Sequence, residues 1–423
     1  MTAPTAPDLT SGAGVSAVQP RPGRRAKLRV LFIGEGSTLA HAARPLALAE
    51  ALPKDRFDVT VAVPERYRQW VPAPARWLPL DAQTPEAFAE RLRSGRPLFS
   101  RPRLDQYVAE DLALISAALP EVVIGDFRLS LAASARRAGV PYITISNAYW
   151  SPDKVLRAAR PTLDRFRGWP SAAAELAFQA LAPTAMRWHA RQIDGLLVSH
   201  GLEGVGGDIR RAFTEADLTL YADLPSLFPD VPETERRRFL GPVSWEPPMD
   251  LPAWWEEVPD HKPMIYLTLG SSGDVSTLGR MTGWLAELGF TVMLATAGRA
   301  QIEGDGESLF VASYLPGLAA CARADLVICN GGSPTTTQAL LMGRPVLGVA
   351  SNMDQLLNMR AVQARGAGLT LRADTLSRAP FERAVDQLSL LRAARAASTL
   401  AEEAENQNPA EVLAAAIEGL AGA

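Results

Sequence analysis

The chain has 423 residues, 47% hydrophobic and 21% charged, and its 43 Lys and Arg against 46 Asp and Glu leave a formal net charge of −3. That composition belongs to a folded protein of two or three domains with large cores, and its charge gives no reason to expect nucleic acid or an anionic membrane as the main partner. Two cysteines, Cys321 and Cys329, and four scattered histidines, His41, His189, His200 and His261, read as buried thiols and isolated imidazoles; they supply neither a disulfide framework nor metal-ligand spacing.

Residues 1–26 are rich in Ala, Pro, Ser, Thr and Gly, and their basic residues, Arg21, Arg24 and Arg25, come late. A signal peptide has the opposite order, so this segment reads as a disordered tail and the protein as cytoplasmic. No run approaches the ~20 apolar residues of a membrane span. A strand follows at 28–33, then a turn with Gly34 and Gly36 and a helix at about 41–51 carrying Leu46, Leu48 and Leu52. Further strands read at 57–63, 121–124 and 142–145, with a helix at 130–138. Strands alternating with helices in this way predict a parallel, doubly wound sheet, whose ligands gather at the carboxyl ends of its strands.

The stretch 150–207, holding Trp150, Trp169 and Trp188, reads as helical. Within it Arg157, Arg160, Arg165 and Arg167 alternate with Leu156, Leu163, Phe166 and Trp169, a basic amphipathic pattern that permits peripheral membrane contact; a solvated helix face is the plainer reading. Between Pro225 and Pro263 the chain turns Pro- and Trp-rich, as a linker does. A second alternating series begins at 264–269, with a glycine and serine turn at 270–273, a helix at 278–287, and strands at 291–295, 309–311, 326–329, 345–348 and 368–371. The remainder, from about residue 388, is helical with a break at Pro409.

The segment 324–342, ADLVICNGGSPTTTQALLM, is the most informative. A strand-like run ends in Gly331 and Gly332, and a helix follows at 335–341. Glycines admit a ligand close to the backbone, and a helix amino end offers free N–H groups and a positive dipole end, which together suit a phosphate or diphosphate. Thr335 and Thr336 add hydroxyls. A dozen residues on, Asn352, Asp354, Gln355 and Asn358 present the acceptor and amide groups that sugar hydroxyls need. In the first half, His41 and Asp126 each follow a strand. An imidazole exchanges protons near neutral pH, and a carboxylate holding its other nitrogen would orient it as a base. Taken singly, each motif has an ordinary explanation: a corner-making glycine pair, a capping histidine, a surface aspartate.

Taken together they resemble the GT-B glycosyltransferases of the family 1, nucleotide-sugar-dependent type. The family's His-Gly-Gly, paired threonines, Glu and Asp-Gln fall, without gaps, on Asn330-Gly331-Gly332, Thr335-Thr336, Gln338 and Asp354-Gln355. Its Gly-His and Leu-Ala-x-Ala-Leu pattern places the family's base on His41 in HAARPLALAEAL, and its dyad aspartate on Asp126 in VIGDFRLS. The LGSSG turn with Ser271 and Ser272 is similar to its phosphate-side serine loop. Two departures stand out: the diphosphate-binding His is Asn330 here, and the ribose-binding Glu is Gln338.

The resemblance implies an α/β GT-B fold, two Rossmann-like domains of doubly wound parallel sheet facing across a cleft. It implies an acceptor domain at 27–225, a linker at 226–262, a donor domain at 263–395 and a helical tail at 396–423. It further implies a metal-independent, inverting transfer with His41 as base and Asp126 as orienter. Ser271, Ser272, Asn330, Gly331, Gly332, Thr335 and Thr336 would hold the diphosphate, Gln338 the ribose, and Asp354 and Gln355 the sugar. No cofactor is expected beyond the donor itself, linked to UDP, dTDP or GDP. Trp70, Trp77, Phe99, Tyr107, Tyr149 and Trp150 suggest a small apolar or aromatic acceptor such as a natural product. A nucleotide-sugar 2-epimerase, and a catalytically silent partner of another transferase, are the competing readings.

Overall fold

A computed structural model describes residues 27–155, 159–166, 168–259, 261–270 and 272–422. The expected tail 1–26, together with Leu156, Arg157, Arg167 and Ser271, lies outside these residues. The first half runs β1 (Leu28–Gly34), α1 (Leu39–Ala51), β2 (Phe57–Val63), β3 (Arg76–Pro79), α2 (Pro85–Ser94), α3 (Arg101–Ala118), β4 (Val122–Asp126), α4 (Leu131–Ala138), β5 (Tyr142–Ser146), α5 (Ser171–Ser199), α6 (Ile209–Thr214), β6 (Leu218–Tyr221) and β7 (Arg237–Phe239). The second half runs β8 (Met264–Thr268), α7 (Leu278–Glu287), β9 (Thr291–Ala295), β10 (Leu309–Ala312), α8 (Gly317–Arg323), β11 (Leu326–Cys329), α9 (Ser333–Leu341), β12 (Val346–Ala350), α10 (Met353–Ala364), β13 (Gly368–Arg372), α11 (Arg378–Leu388), α12 (Leu391–Glu405) and α13 (Pro409–Ala421).

The strands form two parallel sheets, ordered β3-β2-β1-β4-β5-β6-β7 and β10-β9-β8-β11-β12-β13. Continuous apolar runs such as Val30–Ile33 and Leu326–Cys329 are buried on both faces, because helices cover each sheet on both sides. In each sheet the order reverses beside the first strand: β1 lies between β2 and β4, and β8 between β9 and β11. That reversal opens a crevice at the strands' carboxyl ends, and His41, Asp126, Ser272 and Gly331–Gly332 end or follow the strands that flank it. Ala148, Tyr149, Tyr221 and Leu224 from the first half share a buried cluster with Val327, Leu340 and Met359 from the second.

Local chemistry adjusts three boundaries. Helix α9 starts at Ser333 instead of residue 335, because Pro334 is accommodated in a first turn, where its missing N–H would have had no partner. Helix α1 starts at Leu39, which sets His41 inside its first turn. The stretch 150–207 is not one helix: Pro152, Pro161 and Pro170 interrupt it, and only α5 runs on. The linker divides its loyalties. Val243 and Trp245 pack on the first half, while Trp254 and Trp255 pack on the second. The chain then returns, since Leu413, Ala414 and Ile417 of α13 enter the core of the first sheet and Arg56 pairs with Glu411 and Glu418 at 3.3 and 2.9 Å. Among the described residues no helix is long and apolar enough to cross a membrane, and no group of His, Cys, Asp and Glu could hold a metal ion.

Candidate active site

Gly34 ends β1 directly beside Asp126 at the end of β4, so the loops after these strands must meet. Gly34 is needed for this approach: a Cβ there would stand 2.7 Å from the His41 carbonyl oxygen and 3.1 Å from Pro45. His41 Nδ1 lies 2.8 Å from Asp126 Oδ1. A carboxylate only accepts, so Nδ1 donates, and in the neutral ring the lone pair is on Nε2. The imidazole lies flat on the ring of Phe127, centroids 4.2 Å apart and planes within 8°. Phe127 holds φ = 58°, an unusual value for a bulky residue. Its contacts with Phe99 and Phe213, at 5.7 and 5.5 Å between centroids, keep it there.

Sequence reasoning missed the residue that grips this dyad from behind. Arg44 donates from Nε to Asp126 Oδ2 at 2.6 Å and from Nη2 to Oδ1 at 2.9 Å, and its Nη1 reaches Asn147 Oδ1 at 2.8 Å. Its position three residues after His41, on the same face of α1, was the available signal. Asn147 in turn donates to Asp223 Oδ1 at 2.9 Å and to Ser333 Oγ at 3.3 Å. Asp223 also accepts from Ala148 N at 2.6 Å. Burial pushes the Asp223 carboxyl up to about 6, against these hydrogen bonds and the pull of Arg44. The chain of contacts therefore runs from His41 through Asp126, Arg44 and Asn147 to the first residue of α9 in the other half.

At that helix, Gly331 holds φ = 78°, and a Cβ would fall 2.6 Å from Met359 Cγ. Both reasons require glycine. Asn358 ties the Gly331 carbonyl at 2.9 Å. Ser272 Oγ accepts from Asn330 Nδ2 at 3.1 Å and from Gln355 Nε2 at 3.3 Å, which leaves its own hydrogen to donate into the crevice. Asn330 also reaches Leu269 O at 3.0 Å and receives Gly332 N at 2.9 Å. Gln355 closes a capping box, its Oε1 accepting from Ser351 N at 2.8 Å and Asn352 N at 3.2 Å. The side chains of Asn330 and Gln355 are thus committed to loop structure in this state.

The remaining residues divide between crevice and core. Thr335 is half-buried at the helix mouth, whereas Thr336 is buried, its Oγ1 facing Cys329 Sγ and Met359 Sδ. Gln338 is buried against Gly317 and donates to Trp245 O at 3.3 Å. Asp354 accepts from Trp150 Nε1 at 2.9 Å, a second polar link between the halves. Arg299, also missed, pins the serine loop by donating to Gly270 O at 3.2 Å and Gly273 O at 3.0 Å. Among the aromatic residues, Phe99 and Tyr107 join the cluster around Phe127, while Trp77 donates to Val63 O and Trp70 packs on Trp245. Both cysteines are buried free thiols; burial pushes Cys329 up to about 11. Arg160 belongs to no exposed basic face: it is 4% exposed, between Asp374 and Glu175.

Residues 292–419 match the family described as Erythromycin biosynthesis protein CIII-like, C-terminal domain. Over 383 residues the chain is 41% identical to a PGL/p-HBAD biosynthesis glycosyltransferase of Mycobacterium tuberculosis (strain ATCC 25177 / H37Ra), covering 90% of this chain and 89% of the relative. A PGL/p-HBAD biosynthesis rhamnosyltransferase of Mycobacterium bovis (strain BCG / Pasteur 1173P2) is 41% identical over 376 residues, 88% of this chain and 84% of its own length. Among solved structures, the Streptomyces sp. SF2575 glycosyltransferase SsfS6, complexed with thymidine diphosphate, superposes with a TM-score of 0.61 at 20% identity, over 94% of this chain and 100% of that one. Two facing parallel sheets, this fold match and these relatives make one statement: the chain is a GT-B glycosyltransferase and belongs to the family of the PGL/p-HBAD biosynthesis glycosyltransferases.

Proposed function

We propose that the chain moves a deoxysugar from a dTDP-linked donor to a hydroxyl of an aromatic or otherwise apolar acceptor, with inversion at the anomeric carbon. The observation that carries this reading is the continuous contact from His41 through Asp126, Arg44 and Asn147 to Ser333. It ties the imidazole of the first half to the amino end of α9 in the second. In the reaction, His41 Nε2 takes the acceptor's proton as its oxygen attacks the anomeric carbon, and the sugar–phosphate bond breaks on the far side. The nucleoside diphosphate leaves with the bonding pair. Asp126 keeps the imidazole oriented and offsets the charge it acquires. A positioned base contributes typically 10²–10⁴-fold, about 3–5 kcal/mol of barrier.

The leaving diphosphate would rest on the free N–H groups of Ser333 and Thr335 and the Ser272 hydroxyl, donors fixed where charge develops, with the Gly331–Gly332 turn allowing close approach while its own N–H groups are held by Cys329 and Asn330. Gln338, whose amide nitrogen is hydrogen-bonded to Trp245 O, has at most its oxygen to offer the nucleoside, which supports thymidine. A carboxylate at this position suits two vicinal ribose hydroxyls, whereas a neutral amide suits a deoxyribose that has only one to offer. SsfS6 holds thymidine diphosphate, and one relative is named a rhamnosyltransferase, which makes rhamnose the first sugar to try. The test is thermal unfolding of the full chain with dTDP, UDP and GDP, since a bound nucleotide raises apparent stability by mass action. Release of dTDP from dTDP-rhamnose is then followed with and without phenolic acceptors. Selective stabilisation by dTDP and acceptor-dependent release support the reading; preference for UDP or GDP, or turnover without acceptor, overturns it.

A further inference from the structure

We infer that the outer face of α5 docks the protein on an anionic lipid bilayer, so that acceptors are taken from a membrane surface. The proposal goes beyond sugar transfer and does not depend on the donor. Between Ala172 and Trp188 the outward positions of α5 are Ala172, Ala173, Leu176, Ala180, Leu181, Pro183 and Trp188, interrupted by the polar Gln179 and Thr184 and by Arg187. Leu176 is 75% exposed, Leu181 51%, Trp188 43%, and Trp169, just before the helix, 52%. Leu181 and Trp188 are seven residues apart and so share one stripe. The inner side of the same stretch is already satisfied, Ala174, Phe178 and Ala182 being packed on Phe166. Large apolar side chains left in water on a face whose other side is fully packed mark an interaction surface.

Charge decides the occupant. In a chain of net charge −3, this face carries the exposed Arg187 and is bordered by the exposed arginines Arg93, Arg96, Arg165 and Arg191. The end of α2 is held against α5 by Arg165, which donates to Ser94 O at 3.4 Å, and by His189, 3.3 Å from Gly95 O. The carboxylates nearby include Glu90, Asp164, Glu175 and Asp194; Glu90 is paired with Arg93, Glu175 with Arg160, and Asp194 accepts from Gly206 N and Gly207 N at 3.0 Å. An apolar strip with Trp and Leu, flanked by arginines, is the composition that settles into the headgroup region of anionic membranes. The strip is also next to the chemistry, because Ala190, Ile193 and Leu196 farther along α5 pack with Phe99 and Tyr107, against which Phe127 is seated under His41.

The experiment is co-sedimentation of the full chain with phosphatidylcholine vesicles, alone and with phosphatidylglycerol included. Binding to the anionic vesicles is expected, weakening as salt rises. The double variant Leu176→Ser, Trp188→Ser should weaken it at least about tenfold, and Arg187→Glu with Arg191→Glu by about as much. These side chains are exposed, so unchanged thermal unfolding should accompany both losses. Equal sedimentation of the variants and the parent chain overturns the proposal, as does failure of the parent to bind. A dimer in light scattering that the apolar variant dissociates, without vesicle binding, overturns it in favour of a second copy.

Discussion

Arg44 holds Asp126 by both carboxylate oxygens, and the Oδ1 that it shares also accepts from His41 Nδ1. All three groups lie at the carboxyl ends of β1 and β4, with Asp126 wholly buried and Arg44 nearly so. A lone buried carboxylate would be costly; paired twice, it becomes a fixed dipole acceptor for the imidazole. Replacing Arg44 by Met leaves that carboxylate with one partner. The expected destabilisation is about 3–5 kcal/mol, measured by urea unfolding, together with lower turnover because His41 loses a fixed acceptor. Arg44→Lys should recover little, since an ammonium cannot bond both oxygens and Asn147 at once in this plane. Unfolding of Arg44→Met at the parent's urea midpoint would remove the pair from any account of the fold.

His41→Gln should cut turnover by 10²–10⁴ and leave dTDP binding as it is, because no donor contact is proposed for that ring. Stopped-assay release of dTDP gives the first quantity and thermal shift the second. A variant that keeps the parent's turnover means another group takes the proton. One that loses nucleotide binding means the two halves no longer close, a failure of position and not of chemistry.

Ser272 offers the sharpest test of the donor cradle. Its oxygen is filled by two amide donors, from Asn330 and Gln355, so the hydroxyl hydrogen has one direction left. A hydrogen bond to a charged group is worth ~1.5–3 kcal/mol, and Ser272→Ala should therefore weaken dTDP binding roughly ten- to a hundred-fold. Calorimetric titration reads it directly. Asn330→His, which restores the family's residue, should also weaken binding, since it breaks the links to Leu269 O and Gly332 N. Tighter binding in that variant would show that loop order matters less than an added cation.

Much of this arrangement was legible because it is local. Continuous apolar strands announce a parallel sheet, and His41, Asp126, Gly331 and Gly332 each lie within a few residues of such a strand's end. What escaped is what only folding assembles. Asn147 and Asp223 are 76 residues apart, and nothing nearby in sequence distinguishes either. Arg44 went unnoticed, because only folding brings Asp126 beneath it. Gln355 is the instructive case: Asn352 followed three residues later by a glutamine is a capping-box pattern, and that competing use of the side chain was readable. Thr336 was expected to hold the diphosphate, but the helix begins at Ser333 and so turns its hydroxyl toward Met359.

Asp223 gives the pH dependence, and its sign is opposite to that of a salt-bridged aspartate. Burial raises the carboxyl from its ordinary 3.8 to about 6 in the folded chain, so between these values the folded state binds more protons than the unfolded one. Stability contributed by this group is then fully present below about pH 4 and declines as pH rises through about 6, where the buried carboxyl must ionise. The full difference is on the order of 3 kcal/mol. Asp223→Asn keeps the shape of the protonated form and cannot ionise. Relative to that variant, the parent chain should lose stability progressively from pH 4 to pH 7, measured as the difference between their unfolding free energies at each pH. Subtraction removes every other titrating group that the two chains share. A difference that stays flat across this range, or grows in the parent's favour, would mean that Asn147 and Ala148 hold the Asp223 carboxylate ionised throughout, so that Asn147, the last link to Ser333, is anchored by a permanent charge.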